Sequence, residues 1–352
     1  MRIVYLSDYP FAFAFGGKEV QMLSYYEYIN NNLSEQFTIS KLDFWDKDFL
    51  NDVDILHLFG YENWYFDLIS ALKNKKSKIK IVISPSFYVD KIFFKKIKSH
   101  IYKFTKRLNF YNYKRIIFSL ADAIVVNSLS EKKQIIALFG LSLEPKIEVV
   151  YNSLEKSFFE IPANPNCFLE KYNIKPGYLL SIGFQDERKN SINLIKAFIS
   201  VYNKINKPLV LIGSLRFQSK ELNNEFSDLI NANKGKIRHI NYLNRSSELD
   251  YIKSAIIHCQ AHALVSFVET PGLANLEALA FNKPILVGMC DPVQEYFRDN
   301  AVYCNPYSLK SIEDGIVEVS LLKEKKENSI LVETNYTLDK AIDKLISVYT
   351  SL

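Results

Sequence analysis

Residues 261–288 read AHALVSFVETPGLANLEALAFNKPILVG. Two short apolar runs, 263–266 and 284–288, flank an apolar helical stretch, LANLEALA, and a loop with Pro271 and Gly272 leads into that helix. Strand, loop, helix and strand in one segment make the repeating unit of a parallel sheet, whose strands are covered on both faces and therefore read as unbroken hydrophobic runs. Pro271 suits the first helical position, where its missing N–H is no loss, and Gly272 permits close approach of a ligand to the backbone. Open sheets of this kind bind ligands where such loops leave the carboxyl ends of the strands. Two carboxylates fall there, Glu269 in the loop and Glu277 on the helix, and carboxylates accept hydrogen bonds from sugar or ribose hydroxyls. Glu277 stands among apolar residues that should face a core, which argues against simple surface exposure.

The same alternation runs outward through the chain. Buried strands are expected at residues 2–7, 37–42, 54–58, 78–84, 123–127 and 147–151, with amphipathic helices such as 18–33 and 130–139 between them. A stretch with Pro162, Pro165 and Pro176 follows and lacks clear periodicity. The pattern then restarts, with strands expected at 178–183, 209–213, 237–241, 263–266, 284–288 and 301–305. The chain is thus an α/β protein of two Rossmann-like domains in tandem, at 1–155 and 177–334, joined by a linker at 156–176 and closed by a helix at 335–352. Its 352 residues suit two domains better than one core, and 48% hydrophobic residues exclude intrinsic disorder.

No apolar run approaches the ~18 residues of a membrane span, and Met1 to Leu6 runs into Ser-Asp-Tyr-Pro without the parts of a secretory signal, so a cytoplasmic protein is expected. Cys167, Cys259, Cys290 and Cys304 lie far apart, without metal-ligand spacing, and read as buried small hydrophobes in a reducing compartment. Residues 1–150 hold 21 Lys and Arg against 16 Asp and Glu, the whole of the net +5. Much of the excess sits in residues 91–115, with nine Lys or Arg, no acid and interleaved Phe and Tyr.

Two further loops follow strands and open helices. Gly16 and Gly17 precede Lys18 and Glu19, and paired glycines bring backbone N–H groups toward a phosphate, though the spaced three-glycine dinucleotide fingerprint is absent. Gly183 is followed by Phe-Gln-Asp-Glu and then Arg188, Lys189 and Asn190, where two cations reinforce an already electropositive helix N-terminus and suit a diphosphate.

Together these residues resemble a known family. Glu269 and Glu277 in the context E-T-P-G-L-x-x-L-E-A look like the signature of the GT-B retaining glycosyltransferases of family 4. In the order that family shows, Gly16-Gly17-Lys18-Glu19 resembles its amino-terminal glycine loop, Asp54-Ile55-Leu56-His57 and residues 121–128 its acceptor-domain strands, Arg188-Lys189-Asn190 its diphosphate motif, and residues 335–349 its closing helix. The resemblance implies two Rossmann-like domains facing a cleft, with an acceptor-binding first domain, a nucleotide-sugar-binding second domain and a last helix crossing back to the first. It implies sugar transfer from a UDP or GDP sugar to a glycan or lipid-linked acceptor of a surface polysaccharide, with no cofactor and no metal. By the same resemblance Glu277 binds the ribose, Lys189 and Arg188 neutralise the diphosphate, and Glu269 with the amides of Gly272 and Leu273 holds the sugar and phosphate. Gly183, Asn190, Leu243 and Gly17 complete the donor side. The chain departs from the family at Phe184, where many members carry Arg, and at Ser84-Pro85-Ser86-Phe87, where many carry His. An acceptor-side role then falls on Ser84 or Ser86, beside Gly16.

The basic stretch has three readings: a solvated helix face, a peripheral contact to the anionic inner face of the cell membrane through Lys95, Lys96, Lys98 and Lys103, or a nucleic-acid surface. No recognised module supports the third, so no nucleic-acid partner is expected. A nucleotide-sugar epimerase and a non-catalytic glycosyltransferase-like scaffold are the competing functions.

Overall fold

A computed structural model describes residues 1–11, 15–75, 77–90, 95, 99, 109–245 and 247–352. The chain forms two compact units, residues 1–153 with 338–352, and residues 154–337.

The first unit holds β1 (Arg2–Ser7), β2 (Thr38–Lys41), β3 (Ile55–Phe59), β4 (Lys80–Ser84), β5 (Ala123–Val126) and β6 (Ile147–Val149) in one parallel sheet, ordered β2-β1-β3-β4-β5-β6. Its helices are α1 (Gly17–Asn32), α2 (Trp64–Asn74), α3 (Phe110–Leu120) and α4 (Leu129–Phe139). All five residues of β3 are buried, because helices cover both faces. Asn109 and Ser128 cap α3 and α4 by accepting from backbone N–H groups of the first turn.

The second unit holds β7 (Tyr178–Ile182), β8 (Leu209–Ile212), β9 (Ile237–Ile240), β10 (Cys259–Leu264), β11 (Ile285–Gly288) and β12 (Val302–Cys304), ordered β12-β11-β10-β7-β8-β9 and again parallel. Its helices are α5 (Cys167–Tyr172), α6 (Ser191–Ile205), α7 (Lys220–Ala232), α8 (Leu249–His258), α9 (Leu273–Ala280), α10 (Asp291–Phe297), α11 (Leu309–Leu321) and α12 (Lys326–Asn335). The last helix, α13 (Leu338–Thr350), belongs to the first unit, where Leu345, Val348 and Tyr349 join the core of β1 and β3.

Three expectations change. The strand placed at 263–266 begins at Cys259, because its polar members find partners: Gln260 donates to the Leu322 carbonyl at 2.8 Å, and buried His262 accepts from the Ile182 amide at 3.2 Å. Residues 156–176 are a packed part of the second unit. Phe158 and Phe168 are buried, Lys253 donates to the Ser157 carbonyl at 2.6 Å, and Ser254 Oγ accepts from the Phe168 amide at 3.1 Å. Of the cysteines, Cys259 and Cys304 are buried, but Cys167 and Cys290 are partly exposed.

Among the described residues, no helix is long and apolar enough to cross a membrane.

Candidate functional site

In the second sheet the chain runs β7 to β8 to β9 on one side and then returns to place β10 beside β7. The carboxyl ends of β7 and β10 therefore flank the switch in strand order, where a doubly wound sheet opens a crevice for ligands. Gly183 follows β7 and the segment from Val265 to Gly272 follows β10.

Gly183 adopts φ +146°, and Gly213 after β8 has φ +144° with its Cα so close to Gly183 that an added Cβ would lie 1.9 Å from the Gly183 carbonyl oxygen. Two bare backbones thus pack against each other, which only glycine allows. The turn carries the chain to Lys189, whose ammonium pairs with the Glu269 carboxylate. Arg188 joins through Nη1, 3.4 Å from Glu269 Oε2 and 3.1 Å from the Val268 carbonyl, and Ser266 Oγ donates to the same Oε2 at 3.1 Å. Residues 80 positions apart in sequence thus meet at one carboxylate. Burial alone would raise the Glu269 carboxyl, but the charges of Lys189 and Arg188, with hydrogen bonds from Lys189 and Ser266, hold it down at about 2. For Lys189 burial is the larger effect and lowers the ammonium, against the upward pull of Glu269. The cluster is an anionic carboxylate held between two cations in a mostly buried setting.

Gly272 is the N-cap of α9 at φ +86°, and Leu273 is its first residue. Pro271 therefore precedes the cap and does not occupy the first helical position. Its carbonyl instead accepts from Asn275 Nδ2 at 3.0 Å, which ties the loop back onto the first turn. Asn275 Oδ1 meets His262 Nδ1 at 3.0 Å, so β10 and α9 are locked together beneath the loop.

Glu277 is fully buried. Arg245 pairs with its Oε1 in charge, yet among the described residues no donor is aligned to give either carboxylate oxygen a hydrogen bond. A buried carboxylate without such bonds is costly, and a ligand with hydroxyl donors would relieve that cost. Arg245 escaped the sequence reading, which took in Tyr242, buried Leu243 and Asn244 and stopped one residue short. Asn190, expected beside the donor, has its amide buried and donating to the Val265 and Pro306 carbonyls at 3.2 and 2.8 Å, so it anchors the surrounding loops. Phe184, in the position of the expected Arg, lies under the guanidinium of Arg216, 3.8 Å from its ring centre.

In the first unit, Gly16 caps α1 and Gly17 opens it. The Gly16 amide donates to Glu19 Oε2 at 2.8 Å, so this N–H is already satisfied by the protein's own side chain. Ser84 is buried, its Oγ 2.8 Å from His57 Nε2, which removes it from the acceptor side. Ser86 is partly exposed, in the left-handed region at φ +49°, and its Oγ accepts from Asn127 Nδ2 at 3.1 Å. Glu131, which the sequence did not single out, fixes this loop: its carboxylate accepts from the amides of Phe87 and, at 2.7 Å, Asn127.

Of the basic stretch, Lys96, Lys98 and Lys103 lie outside the described residues, and Lys95 is partly exposed. Two of its other cations serve the fold. Lys114 is buried and donates to the Tyr61 carbonyl and, at 3.0 Å, to Asn63 Oδ1, while Arg115 Nη2 donates to Ser99 Oγ at 2.9 Å.

Comparison with known proteins fits this geometry. The chain is 26% identical over 206 residues to the O-antigen chain mannosyltransferase RfbU of Salmonella typhimurium, a match covering 57% of this chain and 52% of the relative. The aligned part thus spans about half the length of that curated relative. Across the whole of both chains, the structure superposes on Anabaena HepE in complex with UDP-glucose with a TM-score of 0.76 at 12% identity. It also superposes on WaaG, a glycosyltransferase involved in lipopolysaccharide biosynthesis, with a TM-score of 0.63 at 14% identity over 99% of this chain and 96% of that one. The fold, two Rossmann-like units in tandem, is shared with both of these structures. The sequence profile described as glycosyl transferases group 1 matches residues 169–347, half of the chain and nearly all of the unit that carries Lys189, Glu269 and Glu277, and the protein belongs to that family.

Proposed function

We propose that the protein is a retaining glycosyltransferase that moves a sugar from a UDP or GDP sugar to a glycan or lipid-linked acceptor in the assembly of a surface polysaccharide. The observation that carries this reading is the carboxylate of Glu277, fully buried, with Arg245 against Oε1 and no partner on Oε2 among the described residues. A pair of vicinal ribose hydroxyls supplies the donors such a carboxylate lacks.

The remaining chemistry follows from the cation cluster. In the free protein Glu269 holds Lys189 and Arg188. A bound diphosphate competes for these cations, leaving the Glu269 carboxylate to accept from hydroxyls of the transferred sugar. The α9 N-terminus adds the amides of Gly272 and Leu273. As the acceptor oxygen bonds the anomeric carbon, the bond from that carbon to the phosphate oxygen breaks, negative charge grows on the leaving diphosphate, and the departing phosphate oxygen takes up the proton the acceptor hydroxyl releases. Fixed cations and a helix N-terminus stabilise that charge most in the transition state. Lys189 and Arg188 serve as the counter-charge in this proposal, and transfer proceeds without added divalent metal.

Thermal denaturation against UDP, GDP and their sugars tests the donor site, since a ligand at 100 times its Kd stabilises by about 2.7 kcal/mol. Incubation with each stabilising nucleotide sugar, with and without an oligosaccharide acceptor, then tests the reaction. Product only when acceptor is present supports transfer, conversion of the donor alone indicates an epimerase, and neither binding nor conversion indicates a scaffold.

A further inference from the structure

Both tryptophans of the chain, Trp45 and Trp64, are exposed: Trp64 meets the ring of Phe44, and Trp45 is the next residue after Phe44 in sequence. Trp45 is 95% exposed, Phe44 66% and Trp64 37%, and the Phe44 and Trp64 rings are 6.4 Å apart. Phe44 and Trp45 sit on the loop after β2, and Trp64 opens α2 after β3, so all three lie at the carboxyl edge of the first sheet. Large aromatics are rarely left this open, and several of them exposed on two loops at the same sheet edge mark a binding surface.

The loop that presents them is built to stay in place. Asp43 Oδ1 accepts from the Trp45 amide at 2.8 Å, and Asp46 Oδ1 accepts from the Asp48 amide at 2.9 Å, so two side-chain turns shape its tip. Beyond the tip, Phe49 and Leu50 pack on the core. Arg2 donates to the carbonyls of Asn51 and Phe49 at 2.7 and 3.0 Å and lies over the Phe49 ring. An ordered loop that holds bare aromatic faces to solvent has little conformational entropy left to lose on binding.

Its charge selects the occupant. Residues 42–52 hold four Asp against one Lys, a local net charge of −3. That sign repels an anionic bilayer and suits a neutral ligand rich in hydroxyl donors. Pyranose rings are such a ligand: their C–H faces carry partial positive charge and stack on the electron-rich faces of aromatic rings. Asp43 and Asp46 keep lone pairs beyond the backbone bond each accepts, enough to accept from hydroxyls at the ring edge.

We propose that Phe44, Trp45 and Trp64 form a carbohydrate platform that holds a glycan chain by stacking, with Asp43 and Asp46 receiving its hydroxyls. That this glycan is the acceptor rests on the glycosyltransferase reading; the platform itself does not.

The two tryptophans make it testable by their own emission. Neutral oligosaccharides of two to eight residues, released from O-antigen and capsular polysaccharides, are titrated into the full chain, with phosphatidylglycerol vesicles as a separate arm. The expected result is a saturable change in tryptophan emission with at least one oligosaccharide series, tightening with chain length. Trp45→Ala, at a site too exposed to disturb the core, should weaken that affinity by about tenfold, read by calorimetry. No response to any oligosaccharide, an unchanged affinity in Trp45→Ala, or a blue shift with vesicles alone overturns the proposal, the last in favour of a lipid surface. Calorimetry of the unmodified protein with UDP and GDP reports on the second unit independently. Its failure would remove the proposed reaction and leave the platform standing, and the reverse also holds.

Discussion

Arg245 and Glu277 form an ion pair in which the Glu277 side chain is fully buried and the Arg245 side chain is 25% exposed. Such a pair contributes little over a well-packed apolar substitute, yet it is costly to break from one side, because the surviving charge remains buried. Arg245→Ala should destabilise the ligand-free protein by about 3–5 kcal/mol. Adding Glu277→Gln, which removes the stranded charge, should recover much of that loss. Urea denaturation of the single and double variants checks both. On the ligand side, Glu277→Ala should weaken nucleotide binding by about 1.5–3 kcal/mol, the range for a hydrogen bond to a charged group. Unchanged affinity in calorimetry would remove Glu277 from the donor site.

Lys189 and Glu269 give a prediction in pH. A carboxylate whose folded pKa is depressed adds stability that is complete above its unfolded value, ordinarily 4.5, and is lost as the pH falls toward about 2. The unmodified protein should therefore lose this contribution only between those values. In Lys189→Ala the nearest positive charge is gone and burial raises the carboxyl, so the acid limb of a Tm profile between pH 2.5 and 6 should move to higher pH. The same variant should lose more in kcat than in KM, since the charge it removes matters most as the diphosphate departs. Equal acid limbs for the two proteins would contradict the pairing.

Arg216 stacks on Phe184 at the point where the family resemblance leads one to expect an arginine. Arg216 comes from the loop after β8, whereas the residue it covers follows β7. Arg216→Ala should weaken nucleotide diphosphate sugar binding several-fold at low salt, and the difference should shrink as salt screens it. Stability should change little, because an exposed cation–π contact contributes only about 0.5–1 kcal/mol. An affinity loss that is insensitive to salt would assign the effect to loop shape and not to charge.

These residues also show what the sequence made legible. Both sheets are parallel and covered on two faces, so their strands stand out as apolar runs, and β10 was misplaced only where Gln260 and His262 interrupt the run and take side-chain partners from elsewhere. Arg188, Lys189 and Glu269 stand out in the sequence because each lies in a loop that follows a strand, where ligands bind in this fold, and the structure brings the three side chains together. Arg245 was not, since its tie to Glu277 is made in space across 32 positions and its loop carries no pattern. Ser84 shows the converse: a serine at a strand end reads the same whether it faces solvent or, as here, a buried histidine.

That histidine carries the last prediction. His57 Nδ1 lies 2.6 Å from the Tyr349 hydroxyl and its Nε2 2.8 Å from Ser84 Oγ, while Tyr349 also meets the Tyr5 hydroxyl at 2.9 Å. The chain of polar atoms ties α13 to β1, β3 and β4 inside an otherwise apolar core. Burial drives the His57 pKa down to about 3, so the ring is neutral in the folded protein, whereas the unfolded chain takes up a proton near 6.5. Between these values the unfolded state binds more protons, and stability must fall as the pH is lowered from 6.5. His262, lowered to about 4 by burial, acts in the same direction. Each ring adds at most about 1.4 kcal/mol per pH unit to the slope of unfolding free energy. Urea denaturation between pH 5 and 6.5, above the range where most carboxylates titrate, should show this slope, and His57→Gln should reduce it. Tyr349→Phe should leave the slope in place but lower stability by about 1–3 kcal/mol, the cost of a buried polar group left without its partner. A His57→Gln protein with an undiminished slope would mean that the ring is reached by water and that α13 is held by its apolar contacts alone.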